Sequence, residues 1–384
     1  MNLRDRLRAV DTKPAQPKAP AAAPAECWQK ETVRPIDAFP GALTLPTETI
    51  GLMQPEAVPA GLDPRKILYL DTETTGLSGG AGTVAFLVGL GWLTETGFVI
   101  RQYVMRDYPE ERPLLEAILR DVQGFDAICT FNGKTFDLPL LRDRFIMNRI
   151  RTNCLDLPHI DLLQIARRVW KPRLKRCNLA MLEERVLGQP RTDDLPGSQV
   201  PERYFTFLKV RDMRLLDDVL RHNEQDIASL CQLLAFLVSL YRAPETIRHG
   251  EDLYAMGHAL ERMKHPAEAR RCWSLCASGS MKTASQLRLA QSWRREGQRQ
   301  EAVRIWKAMI AHRQGGVAPY VELAKHLEHR ERDYAGALRL TEEALALLAE
   351  PSIFESEAVQ SQRNELEYRY ARLCRLCGRK EDEI

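Results

Sequence analysis

The chain lacks long apolar stretches, and its charges nearly balance. No run of 18 apolar residues occurs among its 384 residues, so the sequence predicts no membrane span. The first eight residues carry several charges and lack the apolar core of a signal peptide, so we expect a cytoplasmic protein. The formal net charge is only +3, which neither indicates nor excludes a nucleic-acid partner, because a local basic patch matters more than the sum.

Cysteine is sparse and shows no pairing pattern. The nine cysteines are scattered and odd in number, which favours free thiols in a reducing compartment over a disulfide framework. Cys374 and Cys377 form a CxxC pair, and Cys272 and Cys276 form a CxxxC pair. A zinc site would need a second well-placed pair or histidines. Since both pairs lie in helical sequence, we interpret them as small buried residues.

The length indicates two domains joined to a less regular segment. Residues 1–63 predict an N-terminal extension, with a short amphipathic helix at residues 2–11 followed by a Pro/Ala-rich linker. Residues 64–243 predict an α/β domain, and residues 244–384 predict helical repeats. The hydrophobic fraction of 44% is sufficient for a core in each domain.

Strand and helix patterns alternate in the α/β region. The first three strand candidates are joined by short connections, which predicts an antiparallel meander. The later strands alternate with helices, so we predict a mixed sheet flanked by helices. The strand candidates are residues 66–73, 83–93, 98–105, 127–131 and 159–163. The helix candidates are residues 113–122, 137–149 and 212–240.

The C-terminal third contains an internal repeat. The segment around Trp273 recurs around Trp306 and again around Leu340, and each copy follows a helix that contains small residues. The spacing is close to the ~34 residues of a tetratricopeptide helix pair. We therefore predict an all-α stack of tetratricopeptide-type repeats that binds a protein partner on its concave face.

Two acids stand at the end of the first strand of the α/β region. Asp71 and Glu73 follow an apolar run and, being two positions apart on a strand, point to the same face of the sheet. Two carboxylates are costly to remove from water unless a positive charge lies between them. A bound divalent cation would supply that charge.

Two further acidic positions fall on predicted helices. Pro139 is tolerated only in the first turn of a helix, so a helix begins close to Asp137. Taken alone, Asp137 could equally be a plain helix cap. His222 and Asp226 are four residues apart, so they share one face of the long helix, within its apolar stripe. Taken alone, this pair is more simply explained as a buried hydrogen bond.

The four acids together resemble the DEDD superfamily of 3′–5′ exonucleases, which have a ribonuclease H-like fold. The resemblance covers residues 64–241. The sequence is still more similar to YprB-like bacterial proteins, which join this domain to C-terminal tetratricopeptide repeats. The segments that carry the match are Asp71–Leu77, Gly82–Phe86, Phe131–Gly133, Arg191–Ser198 and His222–Ile227.

The resemblance implies two Mg²⁺ or Mn²⁺ ions held by carboxylate oxygens, the hard ligands that these cations prefer. Asp71 would bridge both ions. Glu73 and Asp226 would serve the ion that activates water. Asp137 would serve the ion that stabilises the leaving 3′ oxygen.

The resemblance also implies a general base and contacts to the terminal nucleotide. His222 is the candidate base, although the histidine subtype of the superfamily places its base five residues before the final Asp and the gap here is four. His159 is a second candidate, but its context reads more simply as the start of a strand. Thr72 and Asn132 are predicted to meet the terminal nucleotide.

A basic run lies between the third and fourth acids. Residues 167–176 contain six basic side chains and one tryptophan, a combination that suits the phosphates of a strand and one stacked base. The alternative is a solvated helix end. We predict nucleic-acid contacts at Arg167, Arg168, Trp170, Lys171, Arg173, Lys175 and Arg176.

These features predict a metal-dependent 3′–5′ exonuclease that hydrolyses phosphodiester bonds at the ends of single-stranded DNA or RNA. An alternative hypothesis is a catalytically weak nucleic-acid-binding or scaffold protein that acts through its repeats.

Overall fold

A computed structural model describes residues 26–54, 58–59, 61–76, 82–192, 195–349 and 357–378. The helix predicted at residues 2–11 and the linker that follows it through residue 25 lie outside the described residues. The strands are β1 Trp28–Pro35, β2 Ile67–Thr74, β3 Ala85–Leu93, β4 Gly97–Val104, β5 Ala127–Thr130 and β6 His159–Asp161.

The helices of the described residues fall between and after these strands. The first seven are α1 Ile50–Met53, α2 Glu111–Asp121, α3 Asp137–Met147, α4 Leu162–Leu174, α5 Leu179–Leu182, α6 Val200–Val210 and α7 Asp217–Arg242. The others are α8 Gly250–Arg262, α9 Pro266–Leu275, α10 Lys282–Arg295, α11 Arg299–Ala311, α12 Ala318–His326, α13 Tyr334–Leu348 and α14 Glu357–Cys377.

The strands form one mixed sheet in the order β1-β4-β3-β2-β5-β6. β2 pairs antiparallel with β3 on one side and parallel with β5 on the other, so it lies inside the sheet. Its first four residues are buried, as expected for a strand covered on both faces, and its last four are partly exposed. The predicted meander and the mixed sheet with flanking helices are confirmed.

β1 is an edge strand that the sequence did not reveal. It pairs antiparallel with β4 over its whole length, and its residues alternate between partly buried and exposed. Lys30 and Arg34 are paired with Glu224 of α7. Because neither face of the strand is apolar, its sequence has none of the hydrophobic alternation by which strands are recognised.

Contacts divide the described residues into two compact units. One comprises residues 1–43, 63–160 and 191–232, and the other comprises residues 44–62, 161–190 and 233–384, each in its described parts. Residues 161–190 thus group with the C-terminal helices, whereas the sequence assigned them to the α/β region. The proposed domain boundaries after residues 63 and 243 stay predictions.

The C-terminal region is helical, as the sequence predicts. Its helices follow one another in pairs, and α9 packs against α8, α11 against α10, and α13 against α12. Trp273 and Trp306, the markers of the sequence repeat, are both 1% exposed. The helices α8 and α9 approach each other closely, since a Cβ atom on Gly257 of α8 would lie 2.5 Å from Trp273 Nε1 of α9. The assignment to the tetratricopeptide class stays a prediction.

Among the described residues, none of the helices combines the length and apolar character needed to cross a membrane. All nine cysteines are free thiols, and seven of them are buried, including Cys272, Cys276 and Cys374.

Candidate active site

The first two acids lie where β2 emerges from the sheet. Asp71 is opposite Gly89 in the antiparallel pairing with β3, and Glu73 is opposite Leu87. The register shifts between Glu73 and Thr74, which marks a bulge just beyond the acids. The Asp and Glu side chains are therefore held by a rigid inner strand at the point where its exposure begins.

Asp71 is oriented by an asparagine that lies on α7. Asn223 is fully buried and donates from Nδ2 to Asp71 Oδ2 over 2.9 Å. Its Oδ1 accepts from Gln102 Nε2 over 3.0 Å, and that nitrogen also donates to the backbone carbonyl of Leu220. Every part of the Asn223 amide is thus fixed, and it fixes the Asp71 carboxyl group in turn.

The approach of α7 to the sheet depends on a glycine. A Cβ atom at Gly89 would lie 2.3 Å from Asn223 Oδ1 and 2.9 Å from Ile227 Cδ1. Real Cβ atoms do not approach other atoms so closely, so a larger residue at this position would push α7 away from β3. The absence of a side chain at Gly89 brings Asn223 within reach of Asp71.

Asp137 is the first residue of α3, where the helix was predicted to begin. The residue before it, Phe136, is the N-cap and makes no capping bond with its side chain. Asp137 is buried, and its Oδ1 accepts a 2.5 Å hydrogen bond from Thr72 Oγ1 of β2. Its carboxylate therefore faces β2, and the helix N-terminus favours its negative charge.

The turn before Asp137 is tied to its neighbours. Asn132 has a left-handed φ of 70°, and its carbonyl accepts from the backbone N–H of Thr135. Thr130 Oγ1 accepts from Gly133 N over 3.0 Å and lies 2.8 Å from His159 Nε2. His159 is thus used in holding the turn, which agrees with reading it as part of a strand.

The pair on α7 completes the set of acids. His222 Nε2 lies 3.8 Å from Glu73 Oε1 and 3.7 Å from Asp226 Oδ2. A residue not predicted as part of the site also reaches this pair. Arg191 donates from Nη2 to Asp226 Oδ1, and its Nη1 lies 3.3 Å from His222 Nδ1. The Arg191 side chain is only 9% exposed.

The electrostatics of the site centre on Asp71. Burial raises the pKa of Asp71 well above its usual range, and Asp226, Asp137 and Glu73 raise it further, in that order. The hydrogen bond from Asn223 opposes this rise in pKa. The three neighbouring acids therefore disfavour the ionised form of Asp71, and a bound cation would offset this repulsion.

The contact with Arg191 restricts what His222 can do. A guanidinium group only donates hydrogen bonds, so His222 Nδ1 must accept from it. A neutral imidazole then carries its hydrogen on Nε2, the nitrogen that faces Glu73 and Asp226. Neither ring nitrogen is open to a proton from water in this arrangement. The role of His222 as general base stays a prediction, and it requires Arg191 to leave Nδ1.

The four acids have the right chemistry for a divalent cation, but their present spacing is too wide to hold one. Three carboxyl groups lie around that of Asp71, and the four together form the oxygen-rich donor set that Mg²⁺ and Mn²⁺ prefer. Within the described part of the chain, however, no three Asp, Glu, His or Cys side chains already stand close enough to hold an ion. Arg191 supplies positive charge at Asp226, one of the four.

The basic run is used differently from what its sequence suggested. Trp170 is 1% exposed, and its ring stacks on Phe236, so the prediction that Trp170 stacks on a base is wrong. The guanidinium of Arg173 forms an ion pair with the buried carboxylate of Asp252 over 2.7 Å. Arg168 donates to the carbonyl of Met53 over 2.7 Å. These side chains stabilise the compact unit that contains the C-terminal helices.

The remaining residues of the run lie on the surface. Arg167, Lys171, Lys175 and Arg176 are exposed, and Lys175 donates to the carbonyl of Pro172. Their contacts with nucleic acid stay predictions. The run belongs to the compact unit that contains the C-terminal helices, whereas the four acids belong to the other unit.

Sequence reasoning missed two residues of the site, Asn223 and Arg191. Asn223 adjoins His222 in the motif that matched the DEDD superfamily, so its position was a usable signal. Arg191 opens another matched segment, of which residues 193 and 194 lie outside the described residues. A lone arginine far along the chain gives no sign of which carboxylate it will meet.

Comparison with known proteins identifies the family. Residues 68–238 match the RNase H superfamily, which supports a nuclease-type function. The chain is 32% identical over 320 residues to the uncharacterized protein YprB of Bacillus subtilis (strain 168), covering 81% of this chain and 76% of that protein.

A solved structure shows a more distant likeness. The family B DNA polymerase of the archaeon Pyrobaculum calidifontis aligns with 59% of this chain and 28% of its own, at 14% identity. The TM-score is 0.36, too low to carry functional information. By its identity and coverage with the Bacillus protein, the chain belongs to the YprB family, and its residues 68–238 are the part that is similar to the RNase H superfamily.

Proposed function

We propose that this protein is a metal-dependent 3′–5′ exonuclease that acts on single-stranded nucleic acid. The observation that carries the proposal is the convergence of Asp71, Glu73, Asp137 and Asp226 within a domain of the RNase H superfamily. The direction of digestion and the preference for an end follow from the resemblance of these acids to those of the DEDD exonucleases.

The four carboxylates would hold the divalent metals that nucleases of the ribonuclease H-like type generally use. When bound, such ions supply a nucleophile at neutral pH and stabilise the leaving oxygen. The other residues of the site position the acids: Asn223 holds Asp71, and Thr72 holds Asp137. Asp71 and Asp137 thus each have a partner that limits their rotamers before substrate arrives.

Three side chains beside the acids offer contacts to a terminal nucleotide. Thr72 and Asn132 are partly exposed next to Asp137, in keeping with the contacts predicted for them. Phe136, directly before Asp137, is 50% exposed, which is unusual for a large aromatic side chain. Its ring can stack on a base, the role that buried Trp170 cannot fill.

Digestion of labelled oligonucleotides tests the proposal. Single-stranded DNA and RNA of equal sequence, labelled at the 5′ end, are incubated with the protein in Mg²⁺, Mn²⁺ or EDTA. We expect a ladder that shortens from the 3′ end, requires the metal ion, and disappears in Asp71→Asn. A 3′-blocked oligonucleotide serves as control and should resist digestion.

Two results would count against the proposal in different ways. Internal cleavage of the 3′-blocked strand would show a nuclease of the endonuclease type. Equal behaviour of the wild type and Asp71→Asn on both nucleic acids would remove the catalytic role of the carboxylates, and would favour a binding protein that acts through its helical repeats.

A further inference from the structure

We infer that Arg191 competes with the divalent metal ion for Asp226 and that, once displaced, it binds the phosphodiester of the substrate. The inference rests on the proposed function, because it concerns the same four carboxylates. Arg191 would thereby couple the binding of the metal ion to the binding of nucleic acid.

The first support is the contact geometry of Arg191. Its Nη2 donates to Asp226 Oδ1 and its Nη1 reaches His222 Nδ1, so one guanidinium spans both functional side chains of α7. The side-chain exposures of Arg191 and Asp226 are 9% and 15%. A contact so shielded from solvent is weakened little by salt, unlike a surface ion pair.

The second support is the charge balance of the site. Arginine stays protonated at any physiological pH, so its positive charge at Asp226 is permanent. A divalent cation bound to the same carboxylate would be repelled by the guanidinium at close range in a poorly solvated site. Because both cations need Asp226, binding of one weakens binding of the other.

The third support is what the displaced side chain is suited to do. A guanidinium presents five donors in a planar fork that matches phosphate oxygens. The scissile phosphodiester must lie beside the acids, so it is the nearest anion available to Arg191 once a metal ion has taken Asp226. The same movement of Arg191 would break its contact with His222 Nδ1.

Two binding measurements on Arg191→Gln test the inference without any turnover. Binding of Mn²⁺ is measured from the free ion by electron paramagnetic resonance, and binding of a single-stranded oligonucleotide is measured by anisotropy in saturating Ca²⁺. We expect Mn²⁺ to bind roughly tenfold more tightly to Arg191→Gln than to the wild type. We expect the oligonucleotide to bind several-fold more weakly, since a phosphate contact is lost.

Two control variants separate this role from a purely structural one. Arg203→Gln removes the same charge from an ion pair with Asp218 at the start of α7, where Arg203 Nε lies 3.0 Å from Asp218 Oδ2, and should change neither affinity. Arg191→Lys keeps the charge and should bind Mn²⁺ like the wild type.

The remaining outcomes overturn the inference and show what has failed. Weaker binding of both Mn²⁺ and oligonucleotide by Arg191→Gln would mean that Arg191 only orients Asp226. Unchanged Mn²⁺ affinity would refute the competition while leaving the proposed nuclease intact. If neither the wild type nor Arg191→Gln bound Mn²⁺, the inference and the proposed metal-dependent function would fail together.

Discussion

At the scale of single residues, the site depends on the groups that stabilise the buried carboxyl group of Asp71. Asp71 lies among three other acids, and burial and these acids raise its pKa well above the ordinary value. Asn223 is the hydrogen-bond donor that offsets part of this effect, and its amide is anchored by Gln102. The stability of the site is therefore linked to one side chain on α7.

We expect Asn223→Ala to lower the free energy of unfolding by about 1–3 kcal/mol, because it removes the hydrogen bond to the buried Asp71 carboxyl and one of the two that Gln102 Nε2 donates. Urea denaturation followed by circular dichroism measures the change. Gln232→Ala is the control, since this side chain on α7 makes an exposed hydrogen bond to the carbonyl of Ala38. An equal effect of both variants would show that Asn223 has no special role.

The sequence predicted the acids but not the residues that hold them. Asp71, Glu73, Asp137 and Asp226 could be found because carboxylates at a strand end, a helix start and an apolar helix face are unusual. Asn223 and Arg191 are ordinary residue types whose role depends on tertiary contacts. No local pattern reveals which groups these two side chains will meet.

At the scale of secondary structure elements, α4 shows why a basic run is an ambiguous signal. A helix turns its residues to different sides, so Trp170 becomes buried while Arg167 and Lys171 stay exposed. Arg173 pairs with Asp252 of α8, which is 3% exposed. Burial raises the pKa of Asp252, and the Arg173 guanidinium acts against this rise.

We expect Arg173→Met to lower the free energy of unfolding by about 3–5 kcal/mol at pH 7, because it leaves Asp252 as a buried carboxylate without a partner. A folded-state pKa above the unfolded value stabilises the fold at low pH, and this contribution is lost as the pH rises through the folded pKa. The loss in Arg173→Met should therefore be smaller at pH 5, where Asp252 can take up a proton.

Thermal and urea unfolding at the two pH values measure this effect. Arg304→Ala is a suitable control, because its ion pair with Glu301 on α11 is exposed and should contribute at most about 1 kcal/mol. A loss of stability in Arg173→Met that did not depend on pH would show that Asp252 is not the group left unpaired.

At the scale of the whole molecule, hydrophobic patterns predicted the fold class but not how the chain groups into compact units. Apart from the edge strand β1, the strands of the sheet, their meander and the C-terminal helices follow from local periodicity, which a sequence displays directly. The grouping of residues 44–62 and 161–190 with the C-terminal helices depends on long-range contacts. Such contacts join segments whose sequences give no sign of one another.

The central claim is that four carboxylates form one metal-dependent catalytic centre. The most direct test compares oligonucleotide cleavage in Mn²⁺ by Asp71→Asn, Glu73→Gln, Asp137→Asn and Asp226→Asn. Glu224→Gln is the matched control on α7, because Glu224 pairs with Arg34 of β1 rather than with the site. We predict a loss of roughly 100-fold or more in each of the four variants and little change in the control. Near wild-type cleavage by any of the four variants would contradict the account.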